Sequence, residues 1–192
     1  MVKSFAYIRF PSVVFLTLLL LFSLGLSAQD TGDDYVEQHR KTAIILMKKS
    51  GIPASVIMGV SMIESAMGKS RNCKLLNNYF GVKGKNQLHK GKSGHRSAYK
   101  QYASALESFK DFVRMITTKK YYAALKGNMD YKKWLIQMNK HGYAEAKGKW
   151  IHDIESTIKK YDLTELDSAE IILDDDSYPI WGTDSTIMIL QD

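Results

Sequence analysis

The segment from residue 55 to residue 84 constrains the fold more than any other part of the chain. An apolar run with helical spacing ends just past a lone acid, Glu64. A Gly-Lys-Ser stop follows at 68–70, and an Asn-Asn-aromatic-Phe-Gly-aliphatic-Lys turn follows at 77–83. An ordinary core helix has no need of this order of residues. A single carboxylate beside an apolar stripe, with amides and aromatic rings placed next to it, suits acid catalysis on a sugar chain.

The spacing of apolar residues predicts a body of five helices. They fall within residues 36–50, 53–68, 104–116, 131–142 and 150–161. Pro53 occupies a first-turn position and Gly68 is a natural C-terminal cap, so both bound the second helix. Ser104 and Glu107 form a capping box that opens the third, which predicts a structural role for Glu107. Between these helices, glycines separate short polar segments from 81 to 102, which favours a small β-hairpin or an ordered loop.

The N-terminal 28 residues have the features of a signal peptide. Lys3 and Arg9 precede an apolar run at 13–26, and Ser27-Ala28 offers a small-residue cleavage point. The run of 14 residues is shorter than the ~20 that a spanning helix requires. We therefore expect export to the periplasm or the extracellular space, with no stable membrane insertion after cleavage. An uncleaved N-terminal anchor is the alternative.

Charge divides the exported part into two regions. Residues 29–164, the predicted catalytic domain, carry 25 Lys and Arg against 12 Asp and Glu. Residues 165–192, an acidic C-terminal extension, carry eight acids and no base. A basic body indicates a polyanionic partner. Export argues against nucleic acid and leaves the carboxylate-bearing cell wall or an anionic membrane surface, unless the basic face is merely solvated.

The position of Glu64 on its helix favours a perturbed carboxyl group. At ~100° per residue, its side chain lies about 40° from Val60 and borders the buried stripe. Partial burial raises the pKa of a carboxyl group, as a general acid requires. The alternative is a structural acid paired with Lys69 or Arg71. Neither a metal site nor a cofactor is predicted, because the five histidines have no metal-ligand spacing and the single cysteine, Cys73, has no positioned histidine.

Four motifs in order resemble the bacterial cell-wall endo-β-N-acetylglucosaminidases, the family of autolysins and flagellar-rod peptidoglycan hydrolases. The pattern Glu-Ser-x-x-Gly-x-Ser is matched at 64–70, and Asn-Asn-x-Phe-Gly-aliphatic-Lys is matched at 77–83. The pattern Tyr-x-Ser-x-x-Glu-Ser is matched at 102–108, and Gly-Tyr-Ala is matched at 142–144. The resemblance implies an α+β, mostly helical, lysozyme-like fold, in which a helical lobe and a small β-hairpin lobe flank a glycan groove.

The same resemblance assigns roles to residues. It implies that Glu64 is the general acid and that Tyr143 supports the reacting sugar. The candidates for substrate binding are Asn77, Asn78 and Phe80, in the turn beside the cleft, and Tyr102, along it. Two adjacent aromatic residues, Tyr121 and Tyr122, are further candidates to stack on sugar rings, or else half-buried residues at a helix start.

The sequence differs from the family in the number of acidic residues that could take part in catalysis. Many relatives carry a second acid in the β lobe, whereas this chain has no Asp or Glu between Glu64 and Glu107. Two-carboxylate hydrolysis therefore cannot be assembled from that lobe. A carboxylate from elsewhere, Glu145 being nearest to Tyr143, or the acetamido group of the substrate would have to replace it, or hydrolysis is slow or absent.

These observations favour hydrolysis of the β-1,4 bonds of N-acetylglucosamine in peptidoglycan strands. A lytic transglycosylase also works with one Glu on such a fold, but those enzymes usually have a Gly-Leu-Met-Gln-type segment after the catalytic helix, where this chain has 77–83. A non-catalytic peptidoglycan-binding protein on a degenerate hydrolase fold is the third alternative. The sequence leaves the oligomeric state open.

Overall fold

The computed structural model describes residues 31–88, 97–144 and 147–170 of the chain. In these residues the backbone forms, in chain order, α1 (Thr31–Ser50), α2 (Ala54–Ser65), α3 (Arg71–Leu76), α4 (Ala105–Thr117), α5 (Tyr122–Leu125), α6 (Tyr131–Lys140), α7 (Lys147–Lys160) and a 3-10 helix (Leu163–Ser168). The predicted, mostly helical fold is confirmed. The predicted signal peptide, Glu145 and the chain beyond residue 170 lie outside the described residues.

The helix that carries Glu64, α2, lies at the centre of the core. It packs against α1, α7 and the 3-10 helix, and 10 of its 12 residues are buried. A Cβ added at Gly59 would lie 3.0 Å from a side-chain carbon of Ile158, so glycine lets α7 approach closely. Glu64 is half-buried at the C-terminal end of α2, where the helix reaches the surface. The core thus holds the helix firmly and leaves one carboxylate at its edge.

The N-terminus of α2 is capped by a residue from the far end of the chain. Pro53 precedes the helix and offers no side-chain cap. Instead, the Asp167 carboxylate accepts hydrogen bonds from the Ser55 backbone N–H at 2.8 Å and the Ser55 hydroxyl at 2.7 Å. The 3-10 helix that carries Asp167 also buries Leu163 and Leu166 in the core. The helical body therefore continues past residue 164, where the predicted catalytic domain ends.

The C-terminus of α2 differs from the predicted stop at Gly68. The helix ends at Ser65, and Ala66, Met67 and Gly68 adopt left-handed backbone angles, with φ of 50°, 52° and 76°. The Ser65 hydroxyl accepts a hydrogen bond from the Gly68 N–H at 2.9 Å, and the Ser65 carbonyl accepts one from the Ser70 N–H at 2.9 Å. These bonds stabilise a turn that alanine and methionine rarely adopt. The turn places Glu64 next to the start of α3.

The predicted β-hairpin lobe is the main correction. In the described parts of residues 81–102, which we call the arm, the only strand pairing is an isolated antiparallel bridge between Lys83 and Tyr99. Asparagine side chains supply much of the remaining bonding. The Asn86 amide donates to the carbonyls of Ser97 and Tyr99, at 2.7 and 2.8 Å. Because side-chain amides bond to backbone carbonyls here, the arm is an ordered extended loop and no regular ladder develops.

The capping box predicted at the start of α4 is present in its first half. The Ser104 hydroxyl accepts a hydrogen bond from the Glu107 N–H at 3.3 Å. The Glu107 carboxylate accepts one from Lys110 at 3.3 Å and is exposed.

None of the helices in the described ranges combines the length and the apolar character that a membrane span needs.

Candidate active site

A groove of about 670 Å³ lies at the C-terminal end of α2. Its walls come from the turn before the arm, the arm itself, the end of α4, the loop after α6 and the start of α7. Its lining residues are Glu64, Phe80, Gly81, Val82, Lys83, Tyr99, Met115, Lys119, Tyr121, Met138, His141, Gly142, Tyr143, Ala144 and Trp150. The structure therefore brings Glu64 and Tyr143 into one groove.

The Glu64 carboxylate is held in a defined orientation. The indole Nε1 of Trp150 donates a hydrogen bond to its Oε1 at 2.8 Å. On the other side, a Cβ added at Gly81 would lie only 3.1 Å from its Oε2. Burial raises the pKa of Glu64, and the hydrogen bond from Trp150 opposes that shift. The net result is a carboxyl group that keeps its proton to higher pH than an ordinary glutamate.

Tyr143 fixes the loop after α6 to the turn before the arm. Its hydroxyl donates a hydrogen bond to the Phe80 carbonyl at 3.1 Å. Its ring packs against Trp150, with 5.3 Å between centroids, and edge-on against Phe112 at 5.9 Å. Burial, with a smaller contribution from the charge of Glu64, raises the pKa of Tyr143 well above its usual value. The hydroxyl therefore stays protonated and remains a hydrogen-bond donor.

The two asparagines predicted to bind substrate shape the wall of the groove. The Asn77 amide donates to the carbonyls of Tyr102 and Ala103, at 3.2 and 3.3 Å. The Asn78 amide donates to the carbonyls of Val82 and Lys100, both at 2.8 Å, and its Oδ1 accepts from the Val82 N–H at 3.1 Å. Neither residue lines the groove. Their side chains join the turn to the arm.

The predicted aromatic residues divide into two groups. Phe80 and Tyr121 line the groove, although Phe80 is largely covered by Phe112, on which it stacks at 4.1 Å. Tyr102 and Tyr122 do not line it. The Tyr102 hydroxyl donates to Asp111 at 2.7 Å, and the Tyr122 hydroxyl donates to the Ser50 carbonyl at 2.6 Å. The structure thus places two of these four rings in the wall of the groove, where Phe80 is 2% exposed and Tyr121 is 8% exposed.

Trp150 is a site residue that the sequence pattern does not reveal, because its spacing marks it only as part of the apolar stripe of the last helix. The available signal was chemical. A buried tryptophan must find an acceptor for its N–H, and a half-buried carboxylate was predicted at Glu64. Gly81 was recognised only as a turn residue, although its φ of 65° and its lack of a side chain leave room for the Glu64 carboxylate.

Among the described residues that line the groove, Glu64 is the only acid. In the part of the chain that the structure describes, no three His, Cys, Asp or Glu side chains come together as a metal site would require. The arrangement can therefore deliver one proton from a carboxyl group into a groove with aromatic and basic walls. This geometry is suited to general acid catalysis.

Residues 40–163 match the Glucosaminidase family, whose description is mannosyl-glycoprotein endo-beta-N-acetylglucosaminidase. Among solved structures, the catalytic domain of the autolysin Auto from Listeria monocytogenes has a TM-score of 0.61 and 20% identity, and the match covers 84% of this chain and all of that one. The glycoside hydrolase domain of FlgJ from Salmonella typhimurium has a TM-score of 0.55 and 22% identity, with 70% of this chain and 90% of that one covered.

A third similar structure, an N-acetylmuramoyl-L-alanine amidase from Staphylococcus aureus, has a TM-score of 0.63 and 22% identity. The match covers 75% of this chain and 46% of that one. No curated protein matches the chain. The structural likenesses show a shared fold. Because the family match spans more than half of the chain and includes all four motifs and the Glu64 groove, the chain belongs to the endo-β-N-acetylglucosaminidase family of glycoside hydrolases.

Proposed function

We propose that this enzyme hydrolyses the β-1,4 bonds of N-acetylglucosamine in peptidoglycan, with Glu64 as the general acid. The observation that carries the proposal is the Glu64 carboxyl group. It lies half-buried in a groove, Trp150 bonds one of its oxygens, and its other oxygen is next to the wall at Gly81. Oε2 accepts no hydrogen bond from the described residues, so it is the oxygen that can carry the catalytic proton.

In the proposed reaction, Oε2 of protonated Glu64 gives its proton to the glycosidic oxygen as the bond from that oxygen to the sugar C1 breaks. Positive charge then develops on the sugar ring. The described lining residues offer no second carboxylate to activate water. The acetamido oxygen of the substrate can instead attack C1 and form a cyclic intermediate. Water then opens this intermediate and loses a proton, which the Glu64 carboxylate takes up, so that the acid is restored. This substrate-assisted route needs one protein carboxyl group and is a known variant of glycoside hydrolysis.

The remaining residues support this assignment in different ways. Tyr143 lines the same groove as Glu64 and supports the reacting sugar by packing, because its one hydroxyl hydrogen is donated to the Phe80 carbonyl. Tyr121 borders the groove and packs against His141, with 4.9 Å between ring centroids; because only 8% of it is exposed, it can contact a sugar only through the small part that faces the groove. Asn77 and Asn78 act indirectly, by joining the turn to the arm, and Tyr102 acts by fixing the end of the arm to Asp111 of α4.

The substrate class follows from the family and from the location expected for the protein. The autolysin and the FlgJ glycoside hydrolase domain among the similar structures favour peptidoglycan. Such a substrate is extracytoplasmic, and the predicted signal peptide at residues 1–28 would deliver the enzyme there. The excess of basic over acidic residues in 29–164 suits a wall that carries carboxylates.

Digestion of purified sacculi tests the proposal. We expect new reducing ends at N-acetylglucosamine, identified by mass spectrometry. Glu64→Gln should lower the rate by about 10²–10⁴-fold, because an amide cannot donate the proton. Glu107→Gln, at an exposed residue outside the groove, should keep the rate. Ends at anhydro-muramic acid would instead identify a lytic transglycosylase, and binding without cleavage would identify a glycan-binding protein.

Glu145→Gln decides the number of carboxylates. If the acetamido group assists the reaction, this variant should retain most of its activity. A loss equal to that of Glu64→Gln would show that a second carboxylate, next to Tyr143 in sequence, takes part, and would refute the single-acid mechanism.

A further inference from the structure

Two lysines on the walls of the groove have no role in the mechanism proposed above. Lys83 comes from the arm and Lys119 from the segment that follows α4, and both side chains are exposed and line the groove that holds Glu64. Neither forms an ion pair with any carboxylate in residues 31–88, 97–144 and 147–170. Other lysines nearby behave differently, since Lys100 pairs with Asp111 and Lys110 pairs with Glu107.

The sequence explains why these two ammonium groups lack partners. Residues 65–106 contain nine Lys and Arg and no acid, so the arm has no local carboxylate to offer Lys83. Residues 112–129, around Lys119, contain four Lys and Arg and no acid. Both walls therefore carry positive charge along their length, and a groove lined by one sign of charge concentrates ligands of the other sign.

We infer that Lys83 and Lys119 form an anion-binding subsite that selects glycan strands with free carboxylates close to the scissile bond. The inference rests on the proposed function, because it concerns the substrate of the same groove. An ammonium group recognises a carboxylate as a compact point charge and demands little of its geometry. Such a subsite suits a polymer whose carboxylates recur on flexible substituents, either on the stem peptides or on the lactyl groups of the muramic acid units.

Each lysine should contribute modestly, because both are exposed. An exposed ion pair contributes up to about 1 kcal/mol, which corresponds to a roughly two- to five-fold change in binding. The subsite should therefore act on KM and leave kcat unchanged, since neither ammonium group takes part in proton transfer. Its effect should also weaken as salt rises, because exposed charges are screened over about 8 Å at physiological ionic strength.

Three substrates separate the possible sources of the carboxylate. The first is untreated peptidoglycan strands with their stem peptides. The second is strands whose stems have been removed by an amidase, which frees the lactyl carboxylates. In the third, all carboxyl groups have been converted to methylamides. We expect the highest KM on the methylamidated strands. A KM that rises on the stripped strands assigns recognition to the stems. A KM that falls on them assigns recognition to the lactyl groups, whose carboxyl groups are amide-linked in untreated strands.

Matched variants then test the two lysines. Lys83→Gln and Lys119→Gln should each raise KM about two- to five-fold on the carboxylate-bearing strands that have the lower KM, and leave KM unchanged on methylamidated strands. Lys85→Gln and Lys120→Gln are the controls, because both residues are exposed neighbours that do not line the groove. Equal losses on charged and methylamidated strands, or equal effects of the test and control variants, would overturn the inference.

A binding measurement separates this inference from the proposed function. Co-sedimentation of the full chain carrying Glu64→Gln with the same strands reports binding without cleavage. Adding Lys83→Gln or Lys119→Gln to that chain should weaken binding to the recognised carboxylate-bearing strands and leave binding to methylamidated strands unchanged. If the wild-type enzyme cleaves no strand but this dependence persists, the proposed function fails and the subsite stands. If the enzyme cleaves and the lysine variants have no effect, the subsite alone fails.

Discussion

Trp150 donates its indole hydrogen bond to Oε1 of Glu64 at 2.8 Å, joining two residues that are 86 positions apart. The bond has two effects on the carboxyl group. It restricts the rotation of the side chain, and it stabilises the charged form against the burial that raises the pKa. The position of the proton and the pH at which it is lost therefore both depend on α7.

Trp150→Phe should shift the pH dependence of catalysis. The substitution removes the bond that lowers the pKa of Glu64, so the pKa rises further and the general acid stays protonated to higher pH. In the pH profile of kcat/KM, the decline on the alkaline side should move to higher pH. The maximum value of kcat/KM should be lower, because the carboxyl group is less well oriented. Trp134→Phe is the control, since the Trp134 indole donates at 2.7 Å to the Asn128 carbonyl, away from the groove. An identical shift in both variants would contradict the assignment.

Gly81→Ala should impair the site as well as the backbone. The φ of 65° at Gly81 strains any other residue by about 1–2 kcal/mol. The added Cβ would also lie 3.1 Å from Oε2 of Glu64 and force the carboxylate to move. Gly127→Ala provides the matched control, because its φ is 82° and its Cβ would meet no atom within 4 Å. We expect similar losses of unfolding free energy in the two variants and a loss of kcat in Gly81→Ala alone.

His39 should make the fold sensitive to acid. Its ring is buried among Tyr35, Tyr79 and Phe109, its Nε2 has no partner among the described residues, and burial lowers its pKa to about 4. Because the unfolded chain binds the proton more readily, the stabilisation from neutral His39 is complete above pH ~6.5 and is lost as pH falls toward 4. The loss should approach about 3 kcal/mol at the acid end of this window.

Urea unfolding at pH 4.5 and pH 7 measures this effect. His39→Phe should flatten the difference between the two pH values, because the phenyl ring fills much of the same space and cannot be protonated. His152→Gln, at an exposed position on α7, should leave the difference intact. If His39→Phe retained the full difference, the acid sensitivity would have another origin.

Asp167→Ala should destabilise the fold, because Asp167 caps a helix through Ser55, which lies 112 residues earlier in the chain. The variant loses both hydrogen bonds to Ser55 and leaves the N-terminus of α2 without a side-chain cap. Loss of a helix cap costs about 0.5–2 kcal/mol of unfolding free energy. Thermal or urea unfolding should show this loss, whereas Glu165→Ala, at an exposed position of the same 3-10 helix, should have little effect.

The local motifs explain why part of the site could be predicted. Glu64 and the turn at 77–83 are contiguous patterns, and the structure places Glu64, Phe80 and Tyr143 on one groove. The contact of Trp150 with Glu64 could not be predicted in the same way. Apolar spacing indicates only that Trp150 faces inward, and the acceptor of its N–H depends on how α7 packs against α2.

The arm and the end of α2 show a second limit of prediction from the sequence. Glycine spacing marks the breaks in the arm, but Asn86 bonds to carbonyls 11 and 13 residues away, and this bonding replaces the predicted hairpin. At the end of α2, Ala66 and Met67 adopt angles that their intrinsic preferences oppose. Hydrogen bonds to Ser65 stabilise this turn, and residue propensities do not reveal them.

The cap on α2 also determines when the enzyme can become complete. Asp167 lies 112 residues after Ser55, and Trp150 lies 86 residues after Glu64. A chain that is synthesised from its N-terminus therefore presents Glu64 long before the residues that orient it and secure its helix. An unfinished chain has the acid without its support. The order of the sequence itself thus delays the full support of the Glu64 carboxyl group until translation has passed Asp167.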